Sequence, residues 1–322
     1  MHGSNKVLKT IKLIKMKRVN NVISTVQLKL TVLLLLCISI CISGLHAQDS
    51  TAAPVAKKKL YAKNTFEGNL LIDNQSVMVP IKGTFEFYIQ HRFGTTDKGI
   101  KDLYGIYSGA SMRLSASYVP IKDVQVGFGS TNDRMQVDGN LKVALLKQTR
   151  DWQVPVSVTY YGNVAMDTRA KNSSLPIVTT SDRFTYFNQL IIASKVCDRF
   201  SVQIAPSISY YNNVEAYKDA SGKILPAMNN QHLAISYGGK IKLSEGMSLL
   251  LNFDQPLTQH PLHNPHPNVS AALDMSTSGH DFQITFGNYG SLLQQDNNFG
   301  NQNDFQKGQY CIGFNISRLW NF

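Results

Sequence analysis

The sequence is poor in charge, in cysteine and in long apolar runs. Only 16% of its 322 residues are charged, against about 25% in an ordinary globular domain, so the chain has given up much of the charge that solvates a surface. After residue 50 no stretch approaches the roughly 20 apolar residues that cross a bilayer as a helix, so membrane insertion there requires strands. Of the four cysteines, Cys37 and Cys41 fall in an early apolar stretch, while Cys197 and Cys311 stand far apart with no C-x-x-C spacing. That excludes a disulfide framework and a thiolate metal site, and leaves two unpaired structural thiols. What the chain does have is 43% hydrophobic residues with 22 glycines, 14 tyrosines and 15 phenylalanines, which excludes disorder and collagen-like repeats.

The formal charge of +11 is concentrated at the N-terminus. Residues 1–48 hold seven basic residues (Lys6, Lys9, Lys12, Lys15, Lys17, Arg18, Lys29) and no acid, leaving 25 basic against 21 acidic, or +4, for the remainder. No nucleic-acid partner is expected from that near balance. The basic head, the apolar run through Leu33, Leu34, Leu35 and Leu36 to Leu45, and the small Ala47 follow the order of a secretory signal peptide. Residues 1–47 are therefore predicted to be a leader starting at Met1 or Met16, 48–82 a periplasmic tether with a short packed segment, and 83–322 the main domain.

The main domain is organised by a period of two. In the last segment Tyr310, Ile312, Phe314, Ile316, Trp320 and Phe322 alternate with Cys311, Gly313, Asn315, Ser317 and Asn321. Phe200, Val202, Ile204, Ile208 and Tyr210 alternate in the same way with Ser201, Gln203, Ser207 and Ser209, and Phe282, Ile284 and Phe286 with Asp281, Gln283 and Thr285. Such alternation means strands with one apolar face. Twelve fit, near 83–94, 110–119, 122–130, 137–147, 152–163, 183–195, 198–211, 231–242, 246–255, 268–276, 279–288 and 307–322. Long connections alternate with short ones. A soluble sandwich rarely keeps its long loops on one side, whereas an even number of strands of about ten residues with this alternation is the plan of an all-β, transmembrane, antiparallel up-and-down β-barrel. Short turns and both termini then face the periplasm. Trp152, Tyr160, Tyr118, Tyr210, Tyr237 and Trp320 fall near strand ends, where interfacial aromatic girdles belong.

The chain ends Leu319-Trp320-Asn321-Phe322, so the final strand runs to the last residue. Trp320 and Phe322 are read as the signal by which a barrel assembly machinery recognises the C-terminal strand, with outer-membrane lipid as the other expected partner.

Several segments resemble a family of outer-membrane β-barrels of unknown function from Bacteroidota, the domain of unknown function 5777. They are Gly83-Thr84-Phe85-Glu86-Phe87-Tyr88-Ile89-Gln90-His91-Arg92-Phe93-Gly94, Leu103-Tyr104-Gly105, Ala110-Ser111-Met112-Arg113-Leu114, Val126-Gly127-Phe128-Gly129, Asp138-Gly139-Asn140-Leu141-Lys142, Phe187-Asn188-Gln189-Leu190-Ile191-Ile192-Ala193 and Gly313-Phe314-Asn315-Ile316-Ser317-Arg318. The similarity runs from about residue 64 onward. It implies a barrel in the outer membrane of a Gram-negative bacterium and brings no substrate or activity.

Candidate functional residues follow from the barrel. Charges at polar-face parity are Glu86, Arg92, Arg113, Asp138, Lys142, Lys240, Lys242, Asp254, Asp274 and Asp281, five basic and five acidic. Pointing into the lumen, they read either as a constriction that selects solutes or as a salt-bridged interior that stiffens the barrel. Small residues on the same face (Ser115, Ser117, Gly127, Ser207, Ser209, Gly238, Ser270, Gly313, Ser317) favour an open path, and a cation at Asn315 should be tolerated better than one at Phe314 or Ile284 on the apolar face. Leu70, Leu71, Ile72, Val77, Val79 and Ile81 make 61–82 a packed element, either a hairpin or plug in the lumen or a periplasmic flap. His260, His263 and His266 recur at intervals of three in one loop, a weak metal candidate because prolines stiffen the run and no cysteine or carboxylate completes it. His91 and His280 lie at strands with no serine in a nucleophile setting, so no enzyme and no cofactor is expected. The reading is a narrow passive channel for small hydrophilic solutes, with a non-conducting scaffold barrel that docks envelope partners as the alternative.

Overall fold

The computed structural model describes residues 60–171 and 177–322; the predicted leader, with Cys37 and Cys41, and the tether up to residue 59 lie outside them. Sixteen strands follow in chain order among the described residues. A small hairpin, β1 (Leu70–Leu71) and β2 (Asn74–Gln75), precedes β3 (Thr84–Thr95), β4 (Ser111–Ile121), β5 (Val124–Thr131), β6 (Gln136–Leu146), β7 (Ser157–Asp167), β8 (Phe184–Lys195) and β9 (Phe200–Tyr211). A loop hairpin, β10 (Ala216–Lys218) and β11 (Ile224–Pro226), leads to β12 (Gln231–Ser244), β13 (Met247–Pro256), β14 (Asn268–Ser276), β15 (His280–Gly287) and β16 (Cys311–Asn321). Strands β3–β9 and β12–β16 each pair antiparallel with their neighbours, and β16 returns to β3 to close a twelve-stranded barrel. Closure leaves no sheet edge.

One expected strand is displaced. The strand foreseen at 152–163 begins at Ser157, because 147–156 forms a ten-residue link instead of a tight turn. Here Tyr61 bridges Thr149, Ala62 donates its amide to the Gln148 carbonyl and Arg150 to that of Leu60, so the link serves the N-terminal segment. Trp152 accordingly sits outside any strand.

The alternation divides the wall into two chemistries. Leu114, Phe128, Leu141, Val164, Leu190, Ile204, Leu233, Leu251, Ile284 and Phe286 form an exposed apolar belt, with Phe128 61% and Ile284 55% accessible. Their neighbours in sequence include polar, buried residues: Asn163, Gln189, Gln203, Asn252 and Gln283. A continuous apolar belt of this extent on a monomer is unsupportable in water and is what a lipid-facing wall needs. Phe314 and Ile284 pair directly on this face. Ile284→Arg is therefore expected to lower barrel stability by about 2–4 kcal/mol if it sits near the bilayer midplane. Urea unfolding in lipid vesicles measures this, and a loss within error of zero would mean that the face is not in lipid.

Candidate functional site

The lumen is occupied by the segment that precedes β3. Residues 64–79 enter the barrel at the end that carries the short turns, fold back through β1 and β2, and leave at the same end. Phe66, Leu71, Ile72 and Val77 are buried in the lumen against Tyr161, Phe187, Ile191, Ala205, Leu250 and Ala272. The two-residue turn Ile72-Asp73 places β-branched Ile72 at φ 66°, a conformation normally reserved for glycine at this position of a hairpin. The wall holds it there. Asn315 donates to the Ile72 carbonyl at 2.7 Å, Arg92 pairs with the Asp73 carboxylate at 2.6 Å, and Gln294 donates to the Asp73 carbonyl at 2.7 Å.

Most of the expected lumenal charges meet this plug. Lys240 reaches the Asn64 carbonyl at 2.6 Å and Glu67 at 2.9 Å. Lys142 donates to the Asn69 carbonyl at 3.2 Å and to Gln75 at 3.3 Å. Glu86 accepts from the Asn69 amide, and Asp254 from Asn74 at 2.9 Å. Asp281 lies so close to Gly68 that no Cβ fits between them. The remaining charges stay within the wall. Arg113 and Asp138 form a bidentate pair at 2.8–2.9 Å, and Asp274 accepts from Gln283 at 3.0 Å. Lys242, on the same face of β12 as Lys240, sits at the short-turn end with its side chain partly exposed and pairs with Glu245 at 2.5 Å. Neutral groups finish the seal, with Gln203 accepting from the Val77 amide at 3.1 Å and Thr159 donating to the Val77 carbonyl at 2.8 Å.

Gly238 and Gly313, two of the small lumenal residues, and likewise Gly129 border filled space. A Cβ at Gly238 would collide with the Leu71 side chain, one at Gly313 with Arg92, and one at Gly129 with Arg113. They make room for the plug and for long arginines, not for water. Beside the plug, between Leu70, Gln75 and the wall of β3–β7, lies a cavity of about 30 Å³, space for a water or two. Asn315 is likewise enclosed: it is buried, accepts from Arg92 at 2.9 Å and donates to Gln283 at 2.8 Å, so a cation placed there would stand beside the Arg92 guanidinium.

The long-loop end is covered by helix α1 (Gln294–Gly300), whose residues from Gln294 to Phe299 are buried at the barrel mouth. Tyr211 donates its hydroxyl to Asp296, and Arg134 stands 3.5 Å from the same carboxylate. Burial pushes the Asp296 carboxyl above its usual range, against the pull of Arg134. The three loop histidines part company. His260 is buried against Phe299, and its ring meets that of His232 at 2.9 Å; burial pushes the His260 imidazole pKa down. His263 pairs with Glu215 at 2.8 Å among exposed side chains, and the His266 backbone binds the Asn301 carbonyl. Among the described residues no group of three or more His, Cys, Asp or Glu side chains is arranged to hold a metal ion. His232 was missed, although its lumenal parity in β12 was readable. Trp320 and Phe322 stand at the β16–β3 seam, with Trp320 paired to Phe85, its ring 4.9 Å from the Arg318 guanidinium, and Phe322 exposed.

Twelve lipid-facing strands around an interior filled by the chain's own N-terminal hairpin define a membrane-spanning barrel with an internal plug. The chain belongs to the family described as membrane bound beta barrel domain (DUF5777), which matches residues 66–320. No curated relative matches it. Similar solved structures include the NanC porin (TM-score 0.44, 8% identity, 74% of this chain and 99% of that one) and an outer membrane channel from Pseudomonas putida F1 (0.44, 12%, 76% and 97%). A third is the Pseudomonas putida toluene transporter TodX (0.34, 10%, 82% and 95%).

Proposed function

We propose that this chain is an outer-membrane barrel of a Gram-negative bacterium, of the Bacteroidota kind, exported by the leader 1–47 and inserted by a barrel assembly machinery that reads its C-terminal strand. Its long loops face outside and its termini the periplasm. It acts as a narrow passage for small hydrophilic solutes that is closed at rest by residues 64–79, without a catalytic role. The observation that carries this is the lumen itself, where six of the expected charges, Glu86, Arg92, Lys142, Lys240, Asp254 and Asp281, lie against the plug. His91 and His280, the histidines an enzyme would have used, stack instead on Phe314 and Phe282.

Twelve strands enclose a space between the filled core of an eight-stranded barrel and the aqueous channel of a sixteen-stranded one, so an unplugged lumen conducts only narrowly. Its near balance of cations and carboxylates gives weak ion selectivity, since strong selectivity needs a ring of one sign. In planar bilayers the intact chain is expected to be silent, while a variant lacking residues 48–82 shows steady, small conductance. Gly238→Leu, which drives a side chain into the space of Leu71, is expected to open the intact chain partially. Equal steady conductance with and without the segment would show that the plug does not close the path. Silence of the shortened barrel would favour the non-conducting scaffold.

A further inference from the structure

The mouth of the barrel carries a second feature that the plug does not explain. Over β6–β9 and beside the last turn of α1 lies a cleft of about 600 Å³, within the range of small-ligand sites. Its apolar side is Tyr211 stacked on Phe299, ring centroids 4.0 Å apart, with Val214 and Met228 against them. Register gathers its polar side: Gln136 pairs with Asp167, and Thr185 pairs with Ala165 on one flank and Tyr211 on the other.

The charged groups around the cleft are unequally engaged. Asp167 is held by Arg169 at 2.6 Å, Asp182 accepts the amides of Val178 and Thr179 at 2.9 and 2.7 Å, and Glu215 pairs with His263. Two cations have weaker partners. Arg183 gives Nη1 to the Asp167 and Arg169 carbonyls, which are uncharged, and Arg134 meets Asp296 only at 3.5 Å with 39% of its side chain exposed. Two residues that line the cleft, Gln136 and Thr185, are more than nine-tenths buried and each carries an enclosed oxygen, Oε1 and Oγ1, with no hydrogen-bond partner. A buried polar atom left unpaired is costly and marks a place where a ligand supplies the missing group.

We propose that this cleft binds a small zwitterion with an apolar side chain, an amino acid or short peptide. Its carboxylate sits at Arg134 and Arg183, its N–H groups donate to Gln136 Oε1 and Thr185 Oγ1 once these side chains rotate toward the cleft, and its side chain lies against the Tyr211–Phe299 step. Cation and unfilled acceptors together select a molecule that carries both an anion and donors. A simple anion leaves the acceptors empty, and a neutral sugar brings no anion to the arginines.

The test is calorimetric titration of the purified full chain in detergent micelles with phenylalanine, alanyl-leucine and alanyl-phenylalanine. Saturable binding is expected, weakened about tenfold or more when the carboxylate of alanyl-phenylalanine is replaced by an amide or when its amine is acetylated. Arg134→Gln is expected to weaken binding to a similar degree and Arg134→Lys to restore part of it, with heat-modifiable migration confirming that each variant is folded. Absence of saturable binding by all three probes overturns the assignment. So does an amide that binds as tightly as the acid, or an Arg134→Gln variant of unchanged affinity. The inference does not rest on the channel reading, because binding in micelles requires no conduction, so silent bilayers and absent binding are separate results.

Discussion

Removing Trp320, Asn321 and Phe322 is expected to leave no assembled barrel. The three residues supply the last rungs of the closing seam, where Trp320 pairs with Phe85 and Asn321 with Thr84, while the Phe322 amide binds the Gly83 carbonyl at 3.3 Å. Gly83 at φ 86° leaves no room for a Cβ against the Phe322 carbonyl, so the first and last barrel residues are fitted to each other. Without them the short-turn ends of β3 and β16 become exposed edges in an apolar medium, where unpaired backbone groups cost several kcal/mol each. Membrane fractions should then lack the folded species that migrates faster before boiling. Its presence at normal abundance would show that closure does not depend on this terminus.

The second large effect is expected at Arg113. Its guanidinium forks onto Asp138 and also donates to Gln90 at 3.1 Å and Ser115 at 2.9 Å, with both partners of the ion pair buried. Arg113→Leu leaves the Asp138 carboxylate with Asn163 at 2.8 Å as its nearest remaining partner. Breaking a buried pair from one side costs about 3–5 kcal/mol, whereas replacing both partners by apolar groups is often near neutral. The double variant Arg113→Leu with Asp138→Leu should therefore recover most of the stability lost by the single one in urea unfolding. If the single variant is as mild as the double, water reaches this pair and the lumen is wetter than the packed plug allows.

The barrel itself was legible because its signal is local and repeated. A lipid-facing residue announces itself by contrast with its immediate neighbours, as Ile284 does between Gln283 and Thr285, and the same contrast recurs twelve times. The start of β7 escaped because Tyr61 and Ala62, distant in sequence, pull 148–150 into their own pairing. The interior was harder to read. That 61–82 packs somewhere was visible from its apolar residues, but its partners lie as far away as Lys240 for Glu67 and Asn315 for Ile72, and one sequence does not show such complementarity. Glycine and serine at lumenal positions therefore read as empty space, when Gly238 is empty only of its own side chain. The loop histidines, only a weak metal candidate in the sequence, do not converge: His260 turns inward to His232 while His263 stays with Glu215.

Because the plug enters and leaves through the same opening, its removal is a question of mechanics with a preferred direction. Neither strand of the hairpin is threaded through the wall, so it resembles a slip hitch and not a knot. Tension on the chain before Leu60 loads the contacts one after another, beginning with the pairing of Leu60–Ala62 to 148–150, then Lys240 on Asn64 and Glu67, then Glu86 and Lys142 on Asn69, and reaching the Arg92–Asp73 pair at the tip last. Sequential peeling of this kind needs far less force than shearing all of the bonds together. Pressure from the long-loop side meets them in parallel, so the hairpin yields to a pull from one side of the membrane and resists a push from the other.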